Sequence, residues 1–289
     1  MAQSFSVAFV TDKGLFQPTL RAAHSAIAHA AQPLRILFVG YNLTGEMWHA
    51  VERMARLHPT SDIVPTILPP EWLADATSPK SFITPTALGR MFLPRISEGR
   101  VLYIDGDTLI TQDICSAAHI DMNGNPLAAV RDYAVMRWRA VGKTDALRKQ
   151  AAVVHEKVEL TDYVNSGVLL LDCDAIRRDP MLLSQMEDMK AATGYPTVDQ
   201  DRINLIFSGR ITHLDPAWNC SWGRLARQRR FQAGLPTRAT LPRAAILHFH
   251  GPNKPWQPWR LSSLKKGPMA VWRYRRDMAA FDRAYASKA

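Results

Sequence analysis

Cysteine is scarce in this chain: Cys115, Cys173 and Cys220 are odd in number, widely spaced and form no CxxC pair. That argues against a disulfide framework or a thiolate zinc site and suits a reducing compartment. Long apolar runs are also missing. No stretch approaches the ~18 residues that a membrane-crossing helix needs. The opening Met1-Ala2-Gln3-Ser4-Phe5-Ser6 lacks the basic start of a secretory signal. A cytoplasmic location is expected, and no internal repeat or low-complexity tract is visible. The third absence is of acids. Between Pro216 and Arg276 there is no Asp or Glu, against thirteen Lys or Arg. The first 215 residues hold 21 basic and 24 acidic residues, so the net charge of +10 sits at one end. Such a block predicts an anionic partner: lipid head groups, nucleic acid or an acidic substrate.

What is present reads as a soluble α/β protein. With 289 residues, 47% apolar and 21% charged, the chain can bury a substantial core. Ser6–Thr11 and Leu34–Gly40 read as strands, Leu20–Ala31 and Thr44–Leu57 as helices, and Ile63–Leu68, broken by Pro65, as an edge strand. This alternation predicts a parallel sheet. Residues 69–85 read as a long connection that folds over a ligand as a lid. Thr86–Arg95 is expected to be a helix ended by Pro94. Ala128–Asp132 and Tyr163–Asp172 read as strands, the latter preceded by a small polar turn, Asn165-Ser166-Gly167. Ala134–Gln150 looks mixed and exposed. Asp179–Ala192 is expected to be one amphipathic helix with Met181, Met186 and Met189 as core filler. Val198–Phe207 is expected to be a helix, and Ala244–Phe249 the last core strand. One domain over residues 1–256 is the economical division, followed by a basic, aromatic extension over 257–289.

The chain reads as organised around Val101-Leu102-Tyr103-Ile104-Asp105-Gly106-Asp107-Thr108-Leu109-Ile110. A buried strand here ends in two carboxylates one residue apart, and residues i and i+2 of an extended chain point to the same side. Open α/β sheets bind ligands at the carboxyl ends of their strands. Two hard oxygen ligands there suit Mg²⁺ or Mn²⁺ with phosphates completing the shell. Gly106 would leave room for a ligand. Asp-Gly is also a common turn signal, so the pair alone is weak. Asp12 and Asp132 also end strands, and His248 stands close to the end of one. His248 is the natural third ligand, with His250 equal on spacing alone. Gly251 and Lys254 suit a phosphate. Asp199-Gln200-Asp201 opens a helix, where acids are favourable in any case.

Four stretches in order, VLYIDGDTLI, VNSGVLLLD, the Asp-Gln-Asp of TVDQDRINLIF, and LHFHGPNKPW, resemble glycosyltransferase family 8 over about residues 7–256. That family is retaining and nucleotide-sugar-dependent, and the likeness is nearest to its bacterial lipopolysaccharide galactosyl- and glucosyltransferases. The resemblance implies a single GT-A, Rossmann-like domain with a mixed, mostly parallel sheet. It implies transfer of galactose or glucose from a UDP-sugar, with Mn²⁺ (or Mg²⁺), to a saccharide acceptor, probable candidates being lipopolysaccharide or another cell-surface glycan. It implies Asp105, Asp107 and His248 as metal ligands, and Val10 and Asp12 at the uridine. Arg90 would lie near the sugar and diphosphate, and Asp132 and Asn165 would hydrogen-bond the donor sugar. Asp199 and Gln200 would stand at the reacting sugar, with Gly251 and Lys254 as the diphosphate clamp. One departure concerns the base: the family's uracil-stacking tyrosine is Leu15 here, with Phe16 as the nearest substitute. The tail, where Trp256, Trp259, Trp272, Tyr274, Phe281 and Tyr285 interleave with Arg and Lys, suits an anionic membrane surface, hence a peripheral place on the inner face of the cell membrane. Two rivals are a metal-dependent nucleotidyltransferase, which also uses paired Asp, and a non-enzymatic basic nucleic-acid-binding protein.

Overall fold

A computed structural model describes residues 4–76, 85–258 and 266–286. Seven strands form the main sheet: β1 (Phe5–Thr11), β2 (Leu34–Gly40), β3 (Asp62–Ile67), β4 (Arg100–Ile104), β6 (Leu127–Arg131), β7 (Val164–Asp172) and β8 (Ile211–Leu214), in the order β3-β2-β1-β4-β7-β6-β8. Only β7 runs against its neighbours. The parallel strands β1, β4 and β6 therefore end on one edge, and the start of β7 lies on that same edge. Apolar residues alternate between two layers. Val7, Phe9, Leu102 and Ile104 pack against α1 (Phe16–His29) and α2 (Gly45–Leu57). Ala8, Val10, Val101 and Tyr103 pack on the opposite face. Pro65 lies in β3, an edge strand paired only with β2, where its missing N–H costs no ladder bond.

The central strand ends at the two carboxylates as expected, and the apolar run that resumes after them is a strand of its own. After β4 the chain passes through Asp105-Gly106-Asp107 and enters β5 (Thr108–Ile110), which belongs to a second sheet. There β5 pairs antiparallel with β10 (Ile246–His248), and β10 pairs with β9 (Cys220–Ser221). Gly106 also has a different reason from the one expected. A Cβ there would lie 2.0 Å from Thr19 Oγ1, so the glycine admits helix α1, not a ligand.

Other differences have local causes. Pro85–Phe92 is a 3₁₀ turn, and Pro94 sits at the start of the short α3 (Leu93–Ile96), where a proline lacks nothing. Ala134–Gln150 forms a hairpin of α4 (Tyr133–Ala140) and α5 (Thr144–Val153). The Asp179–Ala192 helix is broken: Asp179 caps α7 (Pro180–Glu187), which follows the short α6 (Cys173–Arg177), and Asp188 caps α8 (Met189–Thr193). Met186 and Met189 are buried as expected, but Met181 is 72% exposed and fills no core. Helices α9 (Asp199–Ile206) and α10 (Leu225–Phe231) follow. Of the lid expected over residues 69–85, residues 77–84 lie outside the described residues; in its first part Trp72 stacks on Phe92 at 4.8 Å.

Helix α11 (Pro268–Ala286) returns to the body of the protein. Val271, Tyr274 and Met278 pack beside Trp222 and Phe249, and Phe281 enters the core under α1 and α2. Arg21 pairs with Asp282 at 2.9 Å, and the Tyr285 hydroxyl donates to the Ala50 carbonyl at 3.0 Å. Tyr274 and Phe281, expected at a membrane surface, are thus core residues; Trp272 is 52% exposed. Trp259 lies outside the described residues. Among the described residues no helix is long and apolar enough to cross a membrane.

Candidate active site

A cavity of about 370 Å³ opens at the edge where β1, β4 and β6 end. All the residues singled out from the sequence line it: Val10, Asp12, Arg90, Asp105, Asp107, Asp132, Asn165, Asp199, Gln200, His248, Gly251 and Lys254. Asn165 arrives differently from the others. It belongs to β7 itself, whose reversed direction brings the start of the strand, not a preceding turn, to this edge.

Asp105, Asp107 and His248 bring one ligand atom each within 4.8 Å of one another. His248 Nε2 lies 3.2 Å from Asp107 Oδ1 and 3.7 Å from Asp105 Oδ2. The ring's other nitrogen is spoken for. The Gly167 N–H donates to Asn165 Oδ1 at 3.0 Å, which fixes that amide. Asn219 Nδ2 donates to the same oxygen at 2.9 Å, which turns Asn219 Oδ1 towards His248 Nδ1, also at 2.9 Å. Nδ1 therefore carries the hydrogen, and Nε2 faces the carboxylates with its lone pair. Two carboxylate oxygens and an imidazole nitrogen converging this way call for a cation between them, and the donor set fits Mn²⁺ or Mg²⁺. His250, equal on spacing, is settled elsewhere: its Nε2 is 2.7 Å from Ser221 Oγ, and burial, then His248, push it down to about 3. Gly167 makes room for the ring, since a Cβ there would meet His248 Cε1 at 2.2 Å.

Arg90 is buried and does not reach freely into the cavity. It pairs with Asp105 at 3.0 Å and Asp199 at 3.3 Å, and lies 4.5 Å over the Tyr103 ring. Burial opposes its charge, but Asp105 and Asp199 outweigh that and raise its pKa. Burial raises Asp199 despite Arg90. Burial also acts on Asp107, yet the ammonium of Lys254 holds it well below the usual carboxylate range. Lys254 Nζ bonds Asp107 directly and the Phe249 carbonyl at 3.2 Å. Tyr103 donates to Asp105 Oδ1 at 2.5 Å.

Asp132 Oδ1 caps α4 through Ala134 and Val135, leaving Oδ2 to accept from Asn165 Nδ2 at 3.1 Å and Gln200 Nε2 at 3.5 Å. Asp12 Oδ1 accepts from the backbone of Gly14 and Leu15. Leu15 lines the cavity, whereas Phe16 is 2% exposed and packs edge-on against Phe38. Phe16 therefore does not replace the missing aromatic at the cavity. Tyr103, Tyr163 and Asn219 went unnoticed in the sequence. Tyr103 and Tyr163 read there as apolar strand residues, and Asn219 ends a short 3₁₀ turn, Pro216–Asn219, whose sequence carries no pattern.

The α/β fold with its mixed, mostly parallel sheet is the GT-A fold shared with solved glycosyltransferases. The family model described as glycosyl transferase family 8 matches residues 7–260, and the chain belongs to that family. The chain is 28% identical over 170 residues to the lipopolysaccharide 1,2-glucosyltransferase of Escherichia coli K12, covering 56% of this chain and 45% of that protein. It is 26% identical to general stress protein A of Bacillus subtilis, covering 61% and 60%. The chain thus spans roughly half the length of these curated relatives. Among solved structures, the galactosyltransferase LgtC with donor and acceptor sugar analogs superposes with a TM-score of 0.71 at 20% identity, covering 93% of this chain and 96% of LgtC. An active-site mutant of LgtC gives 0.74 at 19% identity, covering 96% of each chain. Family membership sets aside the nucleotidyltransferase and nucleic-acid readings.

Proposed function

We propose that the protein is a retaining hexosyltransferase that moves galactose or glucose from a UDP-sugar to a saccharide acceptor. The observation that carries this reading is the convergence of Asp105, Asp107 and His248 on one wall of a cavity whose other wall presents Asp132, Asn165, Asp199 and Gln200. A bound Mn²⁺ would supply Lewis-acid stabilisation of negative charge on the departing diphosphate. Lys254, beside Asp107, adds a fixed cation for the same charge. Asp12 and Leu15 border the uridine end. Asn165, held by Gly167 and Asn219, and Gln200 orient the sugar hydroxyls.

Retention here is best served by attack on the face from which the diphosphate departs. The bond between anomeric carbon and diphosphate oxygen breaks, the acceptor oxygen bonds to that carbon, and the acceptor proton passes to the departing oxygen. A covalent intermediate is disfavoured because Gln200 is a neutral amide, Asp199 is paired with Arg90, and Asp132 is engaged by four donors.

The acceptor is proposed to be a lipopolysaccharide core sugar or another cell-surface glycan, at the inner face of the membrane. The acid-free stretch and exposed Trp272 support contact with an anionic surface. UDP release from a panel of UDP-sugars, with and without Mn²⁺, tests the reading. Slow hydrolysis of one donor that needs Mn²⁺ is expected; no turnover and no Mn²⁺-dependent UDP binding would overturn it. Co-sedimentation with anionic vesicles, wild type against Trp272→Ala, tests the membrane contact.

A further inference from the structure

The cavity continues past the carboxylates to the α4–α5 hairpin, where Ala134, Val135, Trp138, Gln150 and Thr197 line it. The donor reading uses none of these residues. They differ in kind from the floor. The floor is charged and closed, with Asp107, Asp132 and Asp199 no more than 7% exposed. The rim is uncharged, and Trp138 and Gln150 are half-buried beside open solvent. Among the described residues no Lys or Arg lines this end to hold a phosphate.

Trp138 packs against the small cluster of Val135, Val154 and Tyr163. Among the described residues its indole N–H has no partner. Gln150 donates Nε2 to Asp201 Oδ1 at 2.8 Å, which leaves its Oε1 as an acceptor. The same Asp201 oxygen accepts from the Tyr163 hydroxyl at 2.5 Å, and that hydroxyl accepts from Gln200 Nε2 at 3.3 Å. The rim is thus tied through three side chains to Gln200.

The geometry points to a subsite for the sugar ring of the acceptor, built on α4–α5, with Trp138 as its platform and Gln150 as its hydrogen-bonding edge. A pyranose has an apolar C–H face and a rim of hydroxyls. An aromatic face flanked by an unused N–H donor and an amide oxygen matches both. Because this end is the more exposed part of the cavity, it suits the group that enters second. The inference rests on the donor reading above, and its test separates the two.

The full chain is compared with Trp138→Ala and Trp138→Phe. The probes are the methyl α- and β-glycosides of glucose and galactose, detected by saturation-transfer NMR in the presence of UDP and Mn²⁺. UDP affinity is read in the same samples. At least one glycoside should bind the wild type. Trp138→Ala should weaken that glycoside at least tenfold more than it weakens UDP, and Trp138→Phe should restore most of the loss. Equal losses for glycoside and UDP, unchanged glycoside binding, or no glycoside bound by a wild type that binds UDP would each overturn the subsite. A wild type that binds no UDP overturns the donor reading instead.

Discussion

Residues 1–215 and residues 216–289 bring opposite chemistry to one cavity. Its carboxylates, Asp12, Asp105, Asp107, Asp132 and Asp199, all come from the first region. His248, His250 and Lys254 come from the second, and among the described residues Arg90 is the one cation lining it from the first. The first region delivers its acids from the edge of the seven-stranded sheet, where buried strands fix their positions. The second delivers its bases from the small sheet, joined to the first through β5 and β10. A charge imbalance along the chain, read at first as a surface for some external anion, is partly internal: Lys254 neutralises Asp107, Arg229 pairs with Asp215 at 2.7 Å, and Arg238 pairs with Asp121.

Removing the acidic side breaks this arrangement most severely. Asp107→Ala should lower Mn²⁺-dependent UDP release by about 10³-fold, roughly 4 kcal/mol, since one ligand and the partner of Lys254 go together. Turnover of the UDP-sugar that the wild type hydrolyses checks it; retention of more than a tenth would remove Asp107 from the metal site. Next comes the attachment of the second region. Phe281→Ala should destabilise the protein by about 3–5 kcal/mol, because the ring is fully packed in the core. Urea unfolding measures this, and a loss below about 1 kcal/mol would mean that α11 is an appendage after all.

A smaller change sharpens the comparison at the junction itself. Asn219→Leu leaves all three ligands in place but removes the acceptor of the His248 Nδ1 hydrogen. Mn²⁺ affinity should fall about 10- to 100-fold by calorimetric titration, the range expected for a partner behind a metal ligand. Unchanged affinity would show that packing alone orients the ring.

The smallest effect is on pH. His24 on α1 shares a 2.8 Å hydrogen bond with His58 and lies 4.6 Å from the Phe281 ring. Burial, then His58 and His29, lower it from 6.5 to about 4. Its folded pKa lies below its unfolded value, so the unfolded chain binds more protons between pH 6.5 and 4. Stability is therefore full above 6.5 and declines as pH falls towards 4, by about 2 kcal/mol after allowance for partial exposure. Thermal unfolding across that range should show the slope, and His24→Leu should flatten it.

Much of the site was readable in the chain because its acids mark the ends of strongly apolar strands. Asp12 follows FVT, Asp105 follows VLYI and Asp132 follows AAVR, and the parallel pattern places all three on one edge. The turn after the last core strand pointed to His248 and Lys254, and the family resemblance then added Asn165 and Gln200. Other features were not readable, for reasons that are physical. Nothing in VLYIDGDTLI says that its two halves join different sheets, because both are equally apolar. Asp188 splits a helix only because its side chain caps the next one. The aromatic residues of 268–286 have the same pattern whether they meet a membrane or the core; what decided it was the apolar ground beside Trp222 and under α1 and α2. By itself the sequence determined the strand ends and the residue types that reach them, since periodicity and carboxylate placement are local. The tertiary structure decided which nitrogen of His248 faces the acids, why Gly106 and Gly167 carry no side chain, and where α11 rests. Each of these depends on atoms distant in the chain meeting within a few ångströms.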